Sequence, residues 1–156
     1  MAIWQYNLFV LPQEEIYSYF GQTNIIRNDD LNDINWWKYR QLNIEWFDVF
    51  NDLLTRNKSW SKDIILWGDE SSNCVLVLIE NNEILEISIR IDLRSNFDFF
   101  LRLICNFTQR HECALLNNEL EIFSPDFVII KENIIKSKVH NFLEQLPPIN
   151  EGLNLD

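Results

Sequence analysis

The segments CVLVLIE (Cys74–Glu80) and EILEISIRIDLR (residues 83–94) decide the fold of this chain. Both are runs of aliphatic and β-branched residues with the length of a strand, which is typical of β-structure. Only Asn81 and Asn82 separate them. Asparagine tolerates the left-handed backbone that a two-residue hairpin turn requires. The pattern therefore predicts an antiparallel hairpin centred on these two asparagines.

The two-residue turn also predicts which residues of the hairpin face each other. Counting outward from the turn, Glu80 is expected opposite Glu83, and Leu76 opposite Ile87. One face then contains only apolar side chains and is expected to be core, namely Cys74, Leu76, Leu78, Leu85, Ile87 and Ile89. The other face is half apolar and half polar, which indicates partial cover by a helix or a loop; it contains Val75, Val77, Ile79, Ile84, Glu86, Ser88 and Arg90.

Weaker patterns assign the rest of the chain to further strands and helices. Strands are expected at 3–11 and in a second hairpin at 113–116 and 119–123, and helices at 12–21, 43–55, 95–110 and from 127 or 131 to 146. Hairpins with interspersed helices indicate the α+β class. We expect a single domain at 1–146, with three to four helices mainly on one face of an antiparallel sheet, and a loose C-terminal tail at 147–156.

The chain is strongly acidic throughout. It has 24 acidic and 13 basic residues, a net charge of −11, and the excess is spread over both halves. A negative surface repels nucleic acid and anionic lipid and attracts basic partners. The composition therefore predicts no direct contact with nucleic acid or with a membrane surface, although solubility alone is a sufficient reason for such a charge.

Few residues are suited to catalysis or metal binding. The three cysteines, Cys74, Cys105 and Cys113, are odd in number and lack CxxC spacing, which indicates a reducing compartment, the cytoplasm. His111 lies too close to Cys113 in sequence for the pair to face each other readily. No apolar run approaches the length of a membrane span. We therefore expect no catalytic residue, no metal, no cofactor and no enzymatic activity.

The polar stretch 21–35 is the best candidate for a binding surface. Its clustered aspartates are little offset by bases and lack the glycine and the final glutamate of a calcium-binding EF-hand loop. Two tryptophans follow directly, and two neighbours in a helix or a strand cannot both face one core. An exposed tryptophan beside an acidic loop is typical of a protein interface. The predicted partner-binding residues are Asp29, Asp30, Asp33, Trp36, Trp37, Asp69 and Glu70.

Burial of the tryptophans is the competing interpretation. Both Trp36 and Trp37 could pack beneath the 21–35 loop, and the sequence leaves this open. The other tryptophans in apolar patterns are expected in the core, namely Trp4, Trp46 and Trp67.

Scattered positions over most of the chain resemble those of small acidic bacterial immunity proteins of polymorphic or contact-dependent toxin systems. They are Leu11-Pro12 at the end of the first strand, the tryptophan-rich middle, Trp67-Gly68, residues 89–94 (IRIDLR) and the spacing from Ser137 to Leu143. The resemblance implies a non-enzymatic inhibitor that binds a cognate bacterial toxin, often a basic nuclease domain, and blocks its site.

Two further functions stay open on the sequence. A nucleic-acid mimic or anti-defence protein of a mobile element would use carboxylates where DNA has phosphates, and the net charge of −11 would serve it. An enzyme with an unrecognised carboxylate site is a third possibility. The sequence also leaves the oligomeric state open.

Overall fold

The computed structural model describes residues 2–21 and 27–145 of this chain, and these residues contain seven β-strands. In chain order the strands are β1 (Gln5–Pro12), β2 (Arg56–Lys58), β3 (Ile64–Gly68), β4 (Cys74–Glu80), β5 (Glu83–Asp92), β6 (Cys113–Asn117) and β7 (Ile122–Phe123). They form one sheet in the order β2–β3–β4–β5–β1–β6–β7. Every neighbouring pair is antiparallel.

Helices account for much of the remaining chain. They are α1 (Gln13–Phe20), α2 (Asn28–Asp33), a 3₁₀ helix (Ile44–Asp52), α3 (Asp98–Arg110), α4 (Phe127–Ile135) and α5 (Lys138–Gln145). The α+β class is confirmed, with more helices in the described residues than the three to four expected. The predicted tail at 147–156 lies outside the described residues.

Two helical predictions were wrong in detail. The stretch 21–35, expected to be a loop, contains helix α2, while residues 22–26 lie outside the described part. The single C-terminal helix is instead two helices, α4 and α5, separated by two residues. Asp126 caps α4, since its Oδ1 accepts from the backbone N–H of Val128 at 2.9 Å, so α4 begins at the earlier of the two predicted positions.

The central hairpin is confirmed, but its register is not uniform. Asn81 and Asn82 both have positive φ, at 53° and 63°, as a two-residue turn requires. Glu80 pairs with Glu83 as predicted. A β-bulge between Leu78 and Ile79 then shifts the pairing, because β5 contributes an extra residue, Leu85.

The bulge reverses the predicted faces of β4 only, since Ile87 and Ile89 of β5 are buried in the main core as predicted. Leu76 pairs with Ser88, so the predicted pairing of Leu76 with Ile87 was wrong. Ile87 lies opposite Val77, whose side chain is fully buried in the main core. A shift of one residue moves side chains to the other face of a sheet, so Leu76 lies on the face away from the main core. There it is buried with Cys74 and Leu66 in a small separate cluster.

The main core lies between the face of the sheet that carries Val77 and Ile87 and the helices that cover it. It is built from aliphatic residues of the central strands and from the inner faces of α3 and α4; its fully buried members include Leu8, Ile89, Leu101, Ile104, Ile130 and Ile134. Fully burying one such side chain stabilises the fold by about 1.5–3 kcal/mol.

A tight turn joins β3 to β4. Gly68 has φ +90°, and a Cβ placed on it would lie 2.2 Å from the backbone oxygen of Asn73. The same oxygen accepts a hydrogen bond from the N–H of Asp69 at 3.1 Å. A residue without a Cβ is therefore required where the turn closes.

We predict that Gly68→Ala destabilises the protein far more than Gly21→Ala. Gly21 also has positive φ, +63°, but nothing lies within 4 Å of the position of its Cβ. With φ +63° and ψ −124° it has a conformation that glycine alone adopts readily, so its replacement should cost about 1–3 kcal/mol. Gly68→Ala adds the backbone clash and must open the turn. Equal losses in the free energy of unfolding, measured by urea denaturation, would contradict the close approach at Gly68.

Candidate functional site

The two neighbouring tryptophans are both buried. Trp36 is 4% exposed and Trp37 is 1% exposed, so the expectation that one would be free for a partner was wrong. They lie in a turn rather than in a helix or a strand. The rule that two neighbouring side chains cannot both face one core therefore does not apply to them. The Trp36 ring contacts the rings of Tyr19 and Phe20 at centroid distances of 5.9 and 6.0 Å. Neither tryptophan can anchor a partner.

The aspartates that precede them lie on α2. Asp29 and Asp33 are exposed, and Asp30 belongs to the same helix. The segment approaches the second half of β1, since Leu31 and Ile34 share a cavity of about 260 Å³ with Phe9 and Leu11. Asp29 and Asp33 are accessible, but no exposed tryptophan stands beside them.

Asp69 and Glu70 lie near the opposite end of β1. The backbone oxygen of Glu70 accepts from Gln5 Nε2 at 2.9 Å and from Arg90 Nη1 at 3.0 Å. Gln5 begins β1, and Leu11 is six residues further on, roughly 20 Å along a strand. The predicted acids therefore form two separate groups and not one surface.

Local hydrogen bonds hold the Asp69 carboxylate in its ionised form. The backbone N–H and the hydroxyl of Ser71 donate to Asp69 Oδ1 at 2.8 and 2.7 Å. Both bonds favour the ionised form and lower the pKa of Asp69. Its role in the turn is thus structural, whatever it contributes to the surface charge.

A groove lies between the 3₁₀ helix and α3. A 3₁₀ helix has three residues per turn, so residues three apart lie on the same side. Ile44, Phe47 and Phe50 form the side that faces the core. Trp46 and Val49 form a second side, and Glu45 and Asp48 form a third. All three sides therefore have a distinct chemical character.

Contacts between aromatic rings hold the 3₁₀ helix against the sheet and α3. The Phe47 ring lies 5.5 Å from Trp67 of β3 and 4.8 Å from Phe107 of α3, measured between centroids. Phe50 contacts Phe107 at 5.1 Å and Phe100 at 6.4 Å. Because these contacts fix the inner side of the helix, Trp46 and Val49 must face outward.

The groove that results is aromatic at its base and charged at its rims. Its volume is about 510 Å³, and its walls are formed by Glu45, Trp46, Asp48, Val49, Leu103, Asn106, Phe107, Arg110 and His111. Trp46 is 44% exposed, so the prediction that it belongs to the core was wrong. Its ring stacks on His111 with centroids 4.6 Å apart and planes 9° apart.

The other two tryptophans expected in the core are less exposed. Trp67 is fully buried, as predicted. Trp4 is half-buried, and its indole N–H donates to the backbone oxygen of Ser71 at 2.8 Å.

His111 is held in its neutral form. Burial lowers its pKa first of all, and the positive charges of Arg110 and Arg40 lower it further. Arg40 is fixed nearby, since its Nη1 donates to the backbone oxygen of Glu112 at 2.9 Å. At neutral pH the imidazole therefore presents an uncharged aromatic face to Trp46.

Cys113 does not form a reactive pair with the imidazole of His111. The Cys113 sulfur lies 3.4 Å from the backbone oxygen of His111, to which it donates. Burial raises the pKa of its thiol to about 11, so it is protonated at neutral pH. Within residues 2–21 and 27–145, no group of three or more potential metal-ligating side chains is found.

Comparison with known proteins does not assign the groove. No protein-family model matches the chain, and no curated protein or solved structure matches it at a significant level. Across the described helices, none is long and apolar enough to cross a bilayer. The role of the groove is therefore inferred from its own chemistry.

The sequence did carry a signal for this groove. Apolar residues cover more than half the circumference of the helix predicted at 43–55, whereas a helix packed on a sheet buries only one stripe. The surplus apolar residues, Trp46, Val49 and Leu53, are the ones left 39–44% exposed.

We predict that His111 titrates below the ordinary histidine value of 6.5 and that Trp46→Ala raises its pKa toward that value by exposing the ring. Arg110→Gln should raise it as well, by removing a repulsive charge. Because the pKa of His111 is lower in the folded than in the unfolded protein, the unfolded state takes up the proton first as pH falls. The contribution of neutral His111 to the free energy of unfolding is therefore full above pH 6.5 and is lost as pH falls through the folded pKa. Proton NMR of the imidazole measures this pKa, and a value at or above 6.5 in the parent protein would contradict the burial.

Proposed function

We propose that this protein is a non-enzymatic inhibitor, of the immunity-protein kind, that binds a cognate basic toxin and blocks it sterically. One observation carries the proposal: an aromatic groove with an exposed tryptophan, bordered by carboxylates, on a protein of net charge −11. Interface hot spots are typically tryptophan, tyrosine or arginine side chains in a pocket surrounded by polar groups. Trp46 has this setting.

Two further exposed apolar side chains are near the groove in sequence, one directly after the 3₁₀ helix and one on α3. Leu53 follows Val49 along the chain and is 41% exposed, and Phe99 lies one turn before Leu103 on α3 and is 62% exposed. Large contiguous apolar patches are rare on the surface of monomeric proteins and mark interaction sites. Together these side chains support a contact larger than the groove alone.

The charges around the groove favour a basic partner with one acidic group. Glu45, Asp48 and Asp52 are exposed on the 3₁₀ helix, and carboxylates at the rim of an interface steer a basic partner toward it. Arg110 forms part of the opposite wall. A partner must place a carboxylate or a carbonyl there, which gives the contact an orientation and excludes partners that lack one.

The acids predicted from the sequence keep a place in this proposal as long-range steering charges. Asp29 and Asp33 are exposed on α2, and the field of the whole protein raises the association rate of an oppositely charged partner. Without an exposed tryptophan beside them, they contribute to association rather than to the lifetime of the complex.

We predict that Trp46→Ala abolishes neutralisation and Trp60→Ala does not. Trp60 is 80% exposed outside the groove and serves as the matched control. The assay is growth of cells that express the protein encoded beside this chain's gene, with and without each variant. Truncating a hot spot costs at least about 2 kcal/mol, or roughly 30-fold in affinity.

Different failures in this assay have different meanings. If the neighbouring protein is toxic and the parent chain does not restore growth, the inhibitor function is wrong. Neutralisation that survives Trp46→Ala but is lost on removal of surface carboxylates would instead support a nucleic-acid mimic, which binds through charge.

We predict that the triple variant Asp29/Asp30/Asp33→Asn slows association with the partner and leaves dissociation unchanged. Exposed charges act over about a Debye length, roughly 10 Å at moderate salt, so the effect should shrink as salt is added. Stopped-flow measurements at low and high ionic strength test this. An unchanged association rate at low salt would remove α2 from the steering surface.

A further inference from the structure

One part of the surface has the opposite charge to the rest of the protein. Residues 56–62, RNKSWSK, contain the bases Arg56, Lys58 and Lys62 and no acid. All three residues of β2 are exposed. Among the residues that the structure describes, none of these bases makes an ion pair. Three bases are therefore concentrated at one edge of a protein that is otherwise acidic. The Glu70 carboxylate borders this edge, since Ser59 Oγ donates to Glu70 Oε1 at 3.3 Å, so the positive surface is confined to Arg56, Lys58 and Lys62.

The backbone of this edge is open for pairing. β2 is the last strand of the sheet on its side. The N–H of Gly68 donates to the carbonyl of Thr55 at 2.7 Å, so Thr55 and Asn57 direct their backbone groups toward β3. Because successive residues of an antiparallel strand alternate in this respect, Arg56 and Lys58 direct theirs outward.

The side chains along the edge form a recess with a tryptophan beside it. The recess has a volume of about 610 Å³ and is bounded by Arg56, Asn57, Lys58, Ser59, Ser61, Lys62, Ile64 and Ile65. Trp60 lies between two of these residues and is 80% exposed, the highest exposure of any large apolar side chain described. Lysine at an edge strand protects against aggregation, but that explains neither the recess nor an exposed indole.

We propose that the β2 edge binds an extended acidic peptide segment of a partner protein by strand addition. The added strand pairs with the outward backbone groups of Arg56 and Lys58. These two residues are two apart, so their side chains share one face, and acidic residues at alternate positions of the peptide lie opposite them. Lys62 and the Trp60 ring extend the contact past the end of β2. This surface is separate from the groove and takes a partner of opposite charge.

A peptide fits this edge better than the other possible occupants. A nucleic acid has no backbone that completes a β-ladder, and the charge of −11 repels a polyanion over long range. A second copy of the chain joined through the same edge would bring the two sets of bases together. A short acidic peptide completes the ladder with its own backbone and places carboxylates beside the bases. It also carries far fewer charges than a polyanion, so the rest of the protein repels it less.

A pair of model peptides tests the proposal on the whole protein. The probe is a capped hexapeptide of alternating valine and glutamate, and its control replaces glutamate with lysine. We expect the acidic peptide to bind, with the indole N–H signal of Trp60 shifting in NMR, and the basic peptide not to bind. N-methylation of the glutamate amides of the acidic peptide should abolish binding, because these amides lie opposite Arg56 and Lys58 and pair with their backbone groups.

Variants of the protein complete the test. The double variant Lys58→Glu/Lys62→Glu should weaken binding at least about tenfold, and Lys136→Glu, at an exposed base on the α4–α5 side, should leave it unchanged. No binding of the acidic peptide, equal binding of the basic one, or full binding after N-methylation would overturn strand addition. Tighter binding of single-stranded oligothymidylate than of the peptide would reassign the edge to nucleic acid.

Discussion

The packing of Phe47 and Phe50 between the sheet and α3 is the contact on which the candidate site depends. Three residues per turn place both rings on one side of the 3₁₀ helix, where they meet Trp67 and Phe107. The same geometry sends Trp46 and Val49 outward beside Leu103. In an α-helix successive side chains are rotated by a smaller angle, so residues three apart would no longer align along one side. The type of helix thus creates the groove.

The hairpin of β4 and β5 shows how far the fold could be predicted. The turn at Asn81-Asn82 and the pairing next to it follow from local chemistry, and both are present. The bulge at Leu85 was not predictable, because Cys74–Ile79 is a continuous apolar run whose two faces look alike. A strand with clear alternation would have revealed which face is buried. In the folded protein Val75 and Val77 pack in the main core, and Leu76 packs with Leu66 in the smaller cluster. This outcome depends on tertiary packing.

The candidate site was predictable in its charge and not in its geometry. The sequence identifies the acidic surface, and Asp29 and Asp33 are exposed as expected. It misplaced the anchor, since the rule that separates neighbouring side chains fails in the turn that holds Trp36 and Trp37. The position of Glu70 depends on Gln5 and Arg90, which are distant in sequence. Such long-range hydrogen bonds leave no local pattern to read.

The proposed inhibitor function requires the groove to be the surface that a partner covers. Hydrogen exchange of the purified complex, compared with the free protein, maps that contact segment by segment. We predict new protection over residues 44–53 and 99–111, the two walls of the groove, and little change at 28–37 or 69–73. Protection confined to 28–37 and 69–73, with the 3₁₀ helix and α3 unchanged, would contradict it.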